Sequence, residues 1–426
     1  MKTTLEIQKL QQHLADVWHA EPIETTVNAS TRGLLNDAGD WDAPIGIKPK
    51  RPTIPLAIGI PDSTSLPKEA LGAAANRVFN KPGEGAFTYG FGLGYNKLRL
   101  QLAENYSRER RFEVTEDWFQ LCNGSSGAID LICRTLIDPG DVILAESPTY
   151  MGTLRNFKAL NAEVESIGMD SDGMLVERLP NLIDTLLQQG KRIKFIYTIS
   201  NFHNPTGATL SLERKIRLLE IAAQYKILIL DDDAYGALRF DDTPLPTLSG
   251  LSKGHGVITV GTFSKILATG LRIGWIHCHP DLLDAFNKMR FAMGLNQFMV
   301  RVISDYIDSG AMSDHAHKVR HIYKLKMNTL ADALEKHCAD YVDFTRPLGG
   351  FYIWISLKQG LEAEAVWRTA AEEGVSLTRG TNFFPNRIDD KQHLRLAFSW
   401  TDPDQLIDAA TRLKHACERI LGGDPA

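Results

Sequence analysis

The sequence predicts an α/β protein with a mainly parallel central sheet in a large domain and a second, smaller α+β domain. Short apolar segments alternate with amphipathic helical segments: VILAE at 142, RIKFIYTIS at 192, ILILDDD at 227, GVITVGTFS at 256 and RIGWIHCH at 272. This alternation is typical of buried parallel strands joined by helices. Beyond about Phe298 the chain is predicted to be helical, and it then ends in two short strands, GGFYIWI and HLRLAFSW, and a final helix.

These patterns also predict the domain boundaries. Residues 76–309 would form the large α/β domain, and residues 55–75 together with 310–426 would form the small α+β domain. Residues 1–54 would form an amino-terminal arm. The arm contains the loose stretch NASTRGLLNDAGDWDAPIGIKPKRP, whose Gly, Asn, Asp and Pro content is typical of a segment that wraps over another surface.

Charge excludes two classes of partner. The 426 residues include 47 Lys and Arg against 52 Asp and Glu, a net charge of −5. Surfaces that bind nucleic acid or anionic membranes need clustered Lys and Arg, so we expect neither partner. The one dense basic stretch, Arg108–Arg111, is predicted to be the solvent-exposed end of an amphipathic helix that begins near Tyr95.

Cysteine usage and hydropathy indicate a cytoplasmic protein. The five cysteines are scattered and form no C-x-x-C pair, which suits a reducing compartment. No segment approaches ~18 consecutive apolar residues, and the amino terminus has no apolar core of signal-peptide length. The histidine pairs HCH at 277 and HAH at 315 lack further ligands at a recognisable spacing. We therefore expect no metal and interpret these histidines as ordinary surface or supporting residues.

Four polar segments each follow a predicted strand. They are NGSSGAID at 123, SNFHNPTG at 200, DDDAY at 231 and GTFSKILATGLRIGW at 261. Because open α/β sheets bind ligands beyond the carboxyl ends of their strands, this placement predicts one shared site. Taken singly, the first is also a plain strand-to-helix turn, the second an Asx-type turn, and the third a metal site or a solvated edge.

The fourth segment carries the most informative residue. Lys265 follows a predicted buried strand, with Thr262 and Ser264 before it and Arg272 seven positions later. Lysine is seldom buried unless chemistry requires it, and an amine whose pKa is lowered by desolvation can act as a Schiff-base nucleophile and then as a base. The hydroxyls and Arg272, with the helix that opens after Gly124, predict a phosphate site.

Taken in order, the segments GSSGAID, ESPTY, SNFHNPTG, DDDAY, TFSKILATGLRIGW and HLRLAFSW closely resemble the class I/II aminotransferases of the fold-type I enzymes. The resemblance extends from roughly residue 55 to the carboxyl terminus. It implies a pyridoxal 5′-phosphate (PLP) cofactor held by the large domain. It also implies transfer of an amino group from an L-amino acid to a 2-oxo acid with ping-pong kinetics.

The resemblance further implies roles for individual residues around the cofactor. Lys265 would bind it covalently, Asp232 would pair with its ring nitrogen, and Tyr150 would lie over its ring; these three are the predicted catalytic residues. The other predicted cofactor ligands would donate to the phenolic oxygen or hold the phosphate: Asn204 and Tyr235, and then Ser125, Ser126, Thr262, Ser264 and Arg272.

Further roles concern the substrate and a second subunit. Arg395 is expected to bind the substrate carboxylate, because its forked donors match two oxygens, and Asn204 and Gly59 are expected to contact the substrate as well. From the pattern alone, Arg395 is equally an exposed arginine on an edge strand. Tyr89, in FTYGFGLGYNKLR, is expected to reach the phosphate of a neighbouring subunit, which implies a homodimer.

Two other functions stay open at this point. Elimination, decarboxylation or cyclisation of an amino acid would use the same cofactor-binding residues, so these residues do not separate such reactions from transamination. A regulator that joins an aminotransferase-like sensor to a DNA-binding module would share the region from His315 to GGFYIW, although the leader shows no winged-helix pattern.

Three details complete the prediction. GFGLGY at 90 resembles a dinucleotide-binding motif, but Tyr95 occupies the place of the third glycine and no apolar strand precedes it. Two positions depart from the aminotransferase pattern, His203 before Asn204 and Ala234 in DDDAY. Both departures bear on substrate preference.

Overall fold

The structure, a computed structural model, describes residues 4–20, 22–34, 46–83, 85–241, 245–291, 294–385 and 390–423. Residues 1–3, 21 and 35–45 of the predicted arm lie outside the described part of the chain.

The described residues contain strands that group into one large and two small sheets. In chain order they are β1 (Ile54–Pro55), β2 (Phe119–Cys122), β3 (Val142–Ser147), β4 (Glu163–Asp170), β5 (Gly173–Met174), β6 (Ile193–Thr198), β7 (Leu228–Asp232), β8 (Val257–Thr262), β9 (Gly274–His277), β10 (Val342–Phe344), β11 (Tyr352–Leu357), β12 (Val375–Ser376), β13 (Thr378–Arg379) and β14 (His393–Ala397).

The large sheet confirms the predicted α/β class. Its order is β2-β9-β8-β7-β6-β3-β4-β5. The pairs β3–β4, β3–β6, β6–β7 and β7–β8 are parallel, whereas β5 and β9 pair with their neighbours in the antiparallel sense. The five apolar segments from 142 onward coincide with β3 and β6 to β9. The carboxyl ends of the four central parallel strands therefore meet at one edge.

The α-helices cover this sheet and build the rest of the molecule. They are α1 (Thr4–Ala20), α2 (Ile23–Thr26), α3 (Ala29–Leu34), α4 (Lys68–Asn80), α5 (Asn96–Arg110), α6 (Gly124–Leu136), α7 (Met151–Ala159), α8 (Leu179–Gln188), α9 (Leu212–Tyr225), α10 (Leu248–Leu251), α11 (Pro280–Met289), α12 (Gln297–Asp308), α13 (Ala311–Cys338), α14 (Ala363–Glu372) and α15 (Pro403–Leu421). Among those described, none combines the length and apolar character that crossing a bilayer requires.

Alternation along the strands divides the apolar core between the two faces of the large sheet. Ile143 and Ala145 of β3 pack with α6, α7 and α11, whereas Val142 and Leu144 pack with α8 and α9 on the other face. Successive side chains of a strand point to opposite faces, so a strand covered by helices on both sides must be apolar throughout. This explains the uninterrupted apolar runs in the sequence.

The carboxyl-terminal part forms a second core around a smaller sheet. The order β10-β11-β14-β13 is antiparallel throughout, and β1 pairs in parallel with β12 next to it. Ile54 and Leu56 share this core with α13, α14 and α15. The segment around residue 55 is therefore packed against residues more than 300 positions away in sequence. The predicted domain boundaries stay predictions.

The basic stretch Arg108–Arg111 is exposed at the end of α5, as expected, except at one residue. Arg110 is buried, not solvated. Its guanidinium carbon lies 3.4 Å from the centroid of the Tyr106 ring, its Nε donates to the Thr247 hydroxyl at 3.1 Å, and its Nη2 lies 3.4 Å from a carboxylate oxygen of Asp233. The end of α5 packs against the segment after β7, where the partly buried Asp233 carboxylate provides a counter-charge for Arg110.

The expectation for the histidines at 277 is also wrong in one respect. His277 is fully buried and is not a surface residue. It lies between the rings of Tyr106, Trp118 and Phe119, with centroid separations of 4.8, 5.9 and 5.0 Å. As the last residue of β9, it points into the aromatic core on one face of the sheet.

Candidate active site

The predicted site segments meet at the carboxyl edge of the large sheet. Asp232 ends β7 and Thr262 ends β8, and these two strands are paired in parallel. The segment that contains Asn204 follows β6, and the segment that ends at Tyr150 follows β3. Strand order, not sequence order, thus brings these loops together. No group of three or more potential metal ligands occurs among the residues that the structure describes.

Asp232 is a buried carboxylate with one oxygen that has no hydrogen-bond partner. Its Oδ2 accepts a hydrogen bond from the Tyr197 hydroxyl at 3.1 Å, while Oδ1 is buried without a hydrogen-bond partner. Burial is the main cause that raises the pKa of Asp232 to about 6; the hydrogen bond from Tyr197 and the charge of Lys265 oppose the rise, and Asp233 contributes to it. A buried acceptor of this kind is costly unless a donor fills the site. The geometry therefore fits a ligand that presents an N–H group to Oδ1.

Lys265 approaches the same space from β8. Its Nζ donates to the main-chain carbonyl of Gly59 at 3.0 Å. Burial lowers the pKa of the Lys265 amine, and the positive charge of Arg395 lowers it further, against opposing effects of Tyr352 and Asp232. A lowered pKa increases the fraction of uncharged amine near neutral pH, which is the form that acts as a nucleophile or base.

An anion pocket lies at the amino terminus of α6. The helix begins at Gly124, whose φ of +72° favours glycine, and a Cβ there would lie 2.7 Å from Nη2 of Arg272. Arg272 donates to the carbonyl of Asn123 at 3.3 Å. Ser125 and Ser126 occupy the first turn of the same helix. A guanidinium beside free helical N–H groups is well suited to a phosphate.

Two further hydroxyls lie beside Arg272. Thr262 donates to Ser264 at 3.0 Å and accepts from the backbone N–H of Ser264 at 3.1 Å. The Thr262 hydroxyl also lies 3.3 Å from the carbonyl of Ile273, the residue after Arg272. A Cβ at Gly274 would lie only 2.8 Å from the backbone nitrogen of Ser125, so glycine allows β9 to approach α6 closely. All five predicted phosphate residues are thus brought into one region.

Arg395 projects into the site from the smaller sheet. It is 4% exposed, and its strand β14 lies between β11 and β13, so the alternative of an exposed edge-strand arginine is wrong. Its guanidinium donates to Asn204 Oδ1 at 3.0 Å, to the carbonyl of Ala57 at 2.8 Å and to the hydroxyl of Thr378 at 3.2 Å. Its Nε is buried without a partner, so a donor remains for an anionic ligand.

Tyr352 is a site residue that sequence reasoning missed. Its hydroxyl lies 3.0 Å from that of Tyr235, and its ring centroid lies 4.4 Å from the guanidinium carbon of Arg395. A Cβ at Gly59 would overlap the Tyr352 hydroxyl, which explains why glycine occupies that position. Burial raises the pKa of Tyr235 well above its usual value, and Tyr352 and Tyr150 add to the rise. Only its place after GGF in the segment GGFYIWI could have singled out Tyr352.

Tyr197 is the second residue that sequence reasoning missed. It lies on β6, is fully buried, and contacts Thr153 as well as Asp232 through its hydroxyl. In the sequence it is one tyrosine within an apolar strand, and nothing distinguishes it from a core residue. The parallel pairing of β6 with β7 is what brings it to Asp232.

The two remaining predicted tyrosines, Tyr150 and Tyr89, differ in how far they are exposed to solvent. Tyr150 is half-buried at the start of α7, and a Cβ at Gly152 would lie 2.6 Å from its ring. Tyr89, by contrast, is 72% exposed. The structure therefore gathers all the predicted site residues except Tyr89. Together they form an enzyme site with a lysine, a buried carboxylate, an anion pocket and a forked cation.

Comparison with known proteins identifies the family. A family profile described as "Aminotransferase class I and II" matches residues 51–413. Aromatic-amino-acid aminotransferase 1 of Thermococcus litoralis is 33% identical over 95% of this chain and 97% of that protein. The kynurenine aminotransferase of Pyrococcus horikoshii, solved with PMP, has a TM-score of 0.84 at 31% identity, over 96% of this chain and 99% of that one.

A third relative is LysN, the alpha-aminoadipate aminotransferase of Thermus thermophilus, solved with N-(5′-phosphopyridoxyl)-L-leucine. It has a TM-score of 0.81 at 28% identity, over 95% of this chain and 98% of that one. The chain belongs to the class I and II aminotransferases, and it is a PLP-dependent amino acid transaminase. Its substrates are amino acids and 2-oxo acids.

The chain is also related to regulators, as the sequence suggested. A probable rhizopine catabolism regulatory protein of Rhizobium meliloti is 25% identical over 87% of this chain and 74% of that protein. The aminotransferases match at higher identity and over nearly their whole length.

The described residues fit PLP in three respects. The unpartnered Oδ1 of Asp232 can accept from a protonated ring nitrogen. The amino terminus of α6 with Arg272 can hold a phosphate. The partly buried amine of Lys265, with its lowered pKa, can bind an aldehyde carbon.

Proposed function

We propose that Lys265, Asp232 and Tyr150 are the catalytic residues of this transaminase. The observation that carries the proposal is the pair of polar groups at the ends of β7 and β8. A buried carboxylate with an unpartnered oxygen, Asp232, interacts electrostatically there with a partly buried amine of lowered pKa, Lys265. Such a pair is costly in a folded protein unless chemistry uses it.

Each side chain has a definite task in the proposed reaction. When bound, PLP supplies an electron sink for the electron pair that remains on Cα when the Cα–H bond breaks. Asp232, oriented by Tyr197, would keep the ring nitrogen protonated. Lys265 Nζ would accept the α-proton of the substrate and return it later. Arg395 would bind the α-carboxylate, where its unpartnered Nε offers a further donor.

The remaining proposed roles concern the placement of the cofactor. Asn204 uses its Oδ1 to accept from Arg395, so the amide nitrogen remains as a donor to the phenolic oxygen, together with the hydroxyl of Tyr235. Tyr150 would cover the ring face. The phosphate would be held by the groups around the start of α6, namely Ser125, Ser126, Thr262, Ser264 and Arg272.

The proposed amino donors are L-amino acids with large side chains, aromatic amino acids and 2-aminoadipate foremost. Support comes from the relatives, which are named for aromatic amino acids, kynurenine and alpha-aminoadipate. The test is a screen of the twenty protein amino acids and 2-aminoadipate with 2-oxoglutarate, followed by mass analysis of the products.

We expect a 2-oxo acid product and parallel lines in double-reciprocal plots, because the two substrates bind in turn to the same site. Ammonia, carbon dioxide or a cyclised product in place of the oxo acid would contradict transamination. Intersecting lines would contradict the ping-pong order.

A homodimer completes the proposal. Tyr89 is 72% exposed, and its neighbours Phe87 and Phe91 are 60% and 70% exposed. Three exposed aromatic rings on one short segment are typical of an interface. We propose that this segment packs against a second copy, where Tyr89 reaches the partner's phosphate pocket. Activity that persists in a monomer at high dilution would contradict this arrangement, whereas loss of activity with dissociation would support it.

A further inference from the structure

Glu146 is a buried carboxylate that none of the roles above uses. It lies on β3, four residues before Tyr150, and it is 1% exposed. Its Oε1 accepts from the hydroxyl of Thr198 at 2.7 Å, and its Oε2 accepts from the backbone N–H of Ile199 at 2.8 Å. A carboxylate removed from water needs such donors or a counter-charge.

The group that faces this carboxylate is His203, the residue before Asn204. Its Nε2 lies 3.2 Å from Glu146 Oε2, and both side chains are 1% exposed. The other ring nitrogen, Nδ1, accepts from the backbone N–H of Thr206 at 3.4 Å and lies 2.9 Å from the Thr206 hydroxyl. Nε2 makes no aligned hydrogen bond among the described residues, so its link to Glu146 is a close polar contact between two buried side chains.

These contacts connect three parts of the active site. His203 directly precedes Asn204 in the chain, and Asn204 Oδ1 accepts a hydrogen bond from Arg395 at 3.0 Å. Thr198 and Ile199 follow Tyr197, whose hydroxyl holds Asp232. Glu146 therefore ties the end of β6 to the end of β3, and His203 ties the loop after β6 to the same carboxylate.

We infer that Glu146 and His203 form a buried positioning pair, which holds Asn204, and through it Arg395, in place for the amino acid. The backbone of His203 is already bound within its own loop, to Ala208 and Gly207 at 2.8 and 2.7 Å. The side chain of His203 thus adds a contact between this loop and β3. Neither Glu146 nor His203 touches the substrate; they act through Asn204, so the inference rests on the proposed roles of Asn204 and Arg395.

The test compares three substitutions of His203 in the holoenzyme. His203→Gln places an amide nitrogen near the position of Nε2 and keeps a donor toward Glu146. His203→Asn replaces Nδ1 and keeps only the contact with Thr206. His203→Ala removes both contacts. The measurements are kcat, the KM for the amino acid, and the pH midpoint of the visible absorbance change of the bound cofactor.

We expect His203→Ala and His203→Asn to raise the KM on the order of tenfold, the size expected for loss of a buried polar contact. kcat should fall less, because Lys265 and Asp232 are untouched. In both variants, the pH midpoint of the absorbance change should shift in the same direction as in Asn204→Ala, but by a smaller amount. His203→Gln should stay within about threefold of the native KM. If the Gln and Asn variants behave alike, the positioning role is refuted.

Two controls separate this inference from general destabilisation and from failure of the proposed function. His277→Gln alters another fully buried histidine of the same sheet, among aromatic rings; it should lower the melting temperature without moving KM or the absorbance midpoint. If His203→Ala gives this same pattern, its role is structural and the inference fails. If Asn204→Ala changes neither quantity, the proposed role of Asn204 is wrong instead.

Discussion

The active site has two sides that are built in different ways. The sheet side consists of Ser125, Asp232, Lys265 and Arg272, which lie at the ends of strands or on the turns beside them. The far side consists of Gly59, Tyr352 and Arg395, which belong to the carboxyl-terminal core or pack against it. On the sheet side, the backbone ladders of the large sheet place the residues: β7 and β8 pair in parallel beside Asp232 and Lys265, and β2 and β9 pair in the antiparallel sense beside Ser125 and Arg272. On the far side, side-chain contacts between residues 117 to 338 positions apart do so.

Cofactor binding and proton transfer are therefore assigned to one side of the site, and substrate recognition to the other. The groups that would bind the cofactor and move the proton are held by the regular backbone of the large sheet. The group that would bind the substrate carboxylate depends on how the second core packs over that sheet. We therefore expect substitutions on the sheet side to lower turnover, and substitutions on the far side to change substrate affinity and selectivity.

The largest expected effect is that of Lys265→Ala, on the sheet side. Transamination should fall by at least about 10⁴-fold, because both the covalent attachment and the proton acceptor are lost. Borohydride reduction followed by intact-protein mass measurement should add the cofactor mass to the native chain and not to the variant. Lys265→Arg, which keeps the charge without a nucleophilic amine, should be equally inactive. Turnover of the variant within tenfold of the native value would contradict the role assigned to Lys265 and to the sheet side.

Asp232→Asn should slow turnover by about 10³-fold, because a neutral ring nitrogen is a poorer electron sink. Substrate binding should change little, since Arg395 is untouched. Single-turnover measurement of α-proton removal with an α-deuterated amino acid tests this directly. Near-native rates would remove Asp232 from its proposed role.

The same substitution should stabilise the cofactor-free protein. Burial raises the pKa of Asp232 from 3.8 to about 6, so the folded chain binds the proton more tightly than the unfolded chain. Stability is therefore lost as pH rises from about 4 to about 6, by roughly 3 kcal/mol at most. Urea unfolding should show the advantage of Asp232→Asn growing by about 1 kcal/mol between about pH 5 and pH 7.5. A pH-independent difference would contradict the assigned pKa.

On the far side, Arg395→Ala should reduce kcat/KM for α-amino acids by about 10²-fold, or about 3 kcal/mol. The loss should be much smaller for the amine that has the same side chain but no carboxylate. Arg395→Lys keeps a point charge without the forked donors and should recover only part of the activity. Equal losses for both substrates would show that Arg395 does not bind the carboxylate.

The smallest expected effect is that of Tyr352→Phe, which removes only the hydroxyl that lies 3.0 Å from Tyr235. A loss of about tenfold in kcat/KM is expected, the size of one buried hydrogen bond. Tyr323→Phe is the matched control. Its hydroxyl is also buried in the second core, but it accepts from the backbone N–H of Asp62 at 3.0 Å. If the two variants lose activity equally, the far side has no specific role for Tyr352.

Sequence reasoning performed differently on the two sides of the site. On the sheet side, Asp232, Lys265 and Arg272 stand in segments whose residue types reveal their chemistry, such as a lysine after a buried strand. On the far side, Arg395 and Gly59 were expected only from the resemblance. Tyr352 was missed, because a tyrosine in an alternating strand resembles any core tyrosine.

By itself, the sequence determined the α/β class and the positions of the central strands, and it predicted the sheet-side residues, because apolar periodicity and strand-end motifs are local properties of the chain. Only the tertiary structure decided that Tyr197 holds Asp232, that Arg110 is buried against Asp233, and that Gly59, Tyr352 and Arg395 meet. Each of these contacts depends on strand order and on packing between distant segments, and neither is a property of any one segment.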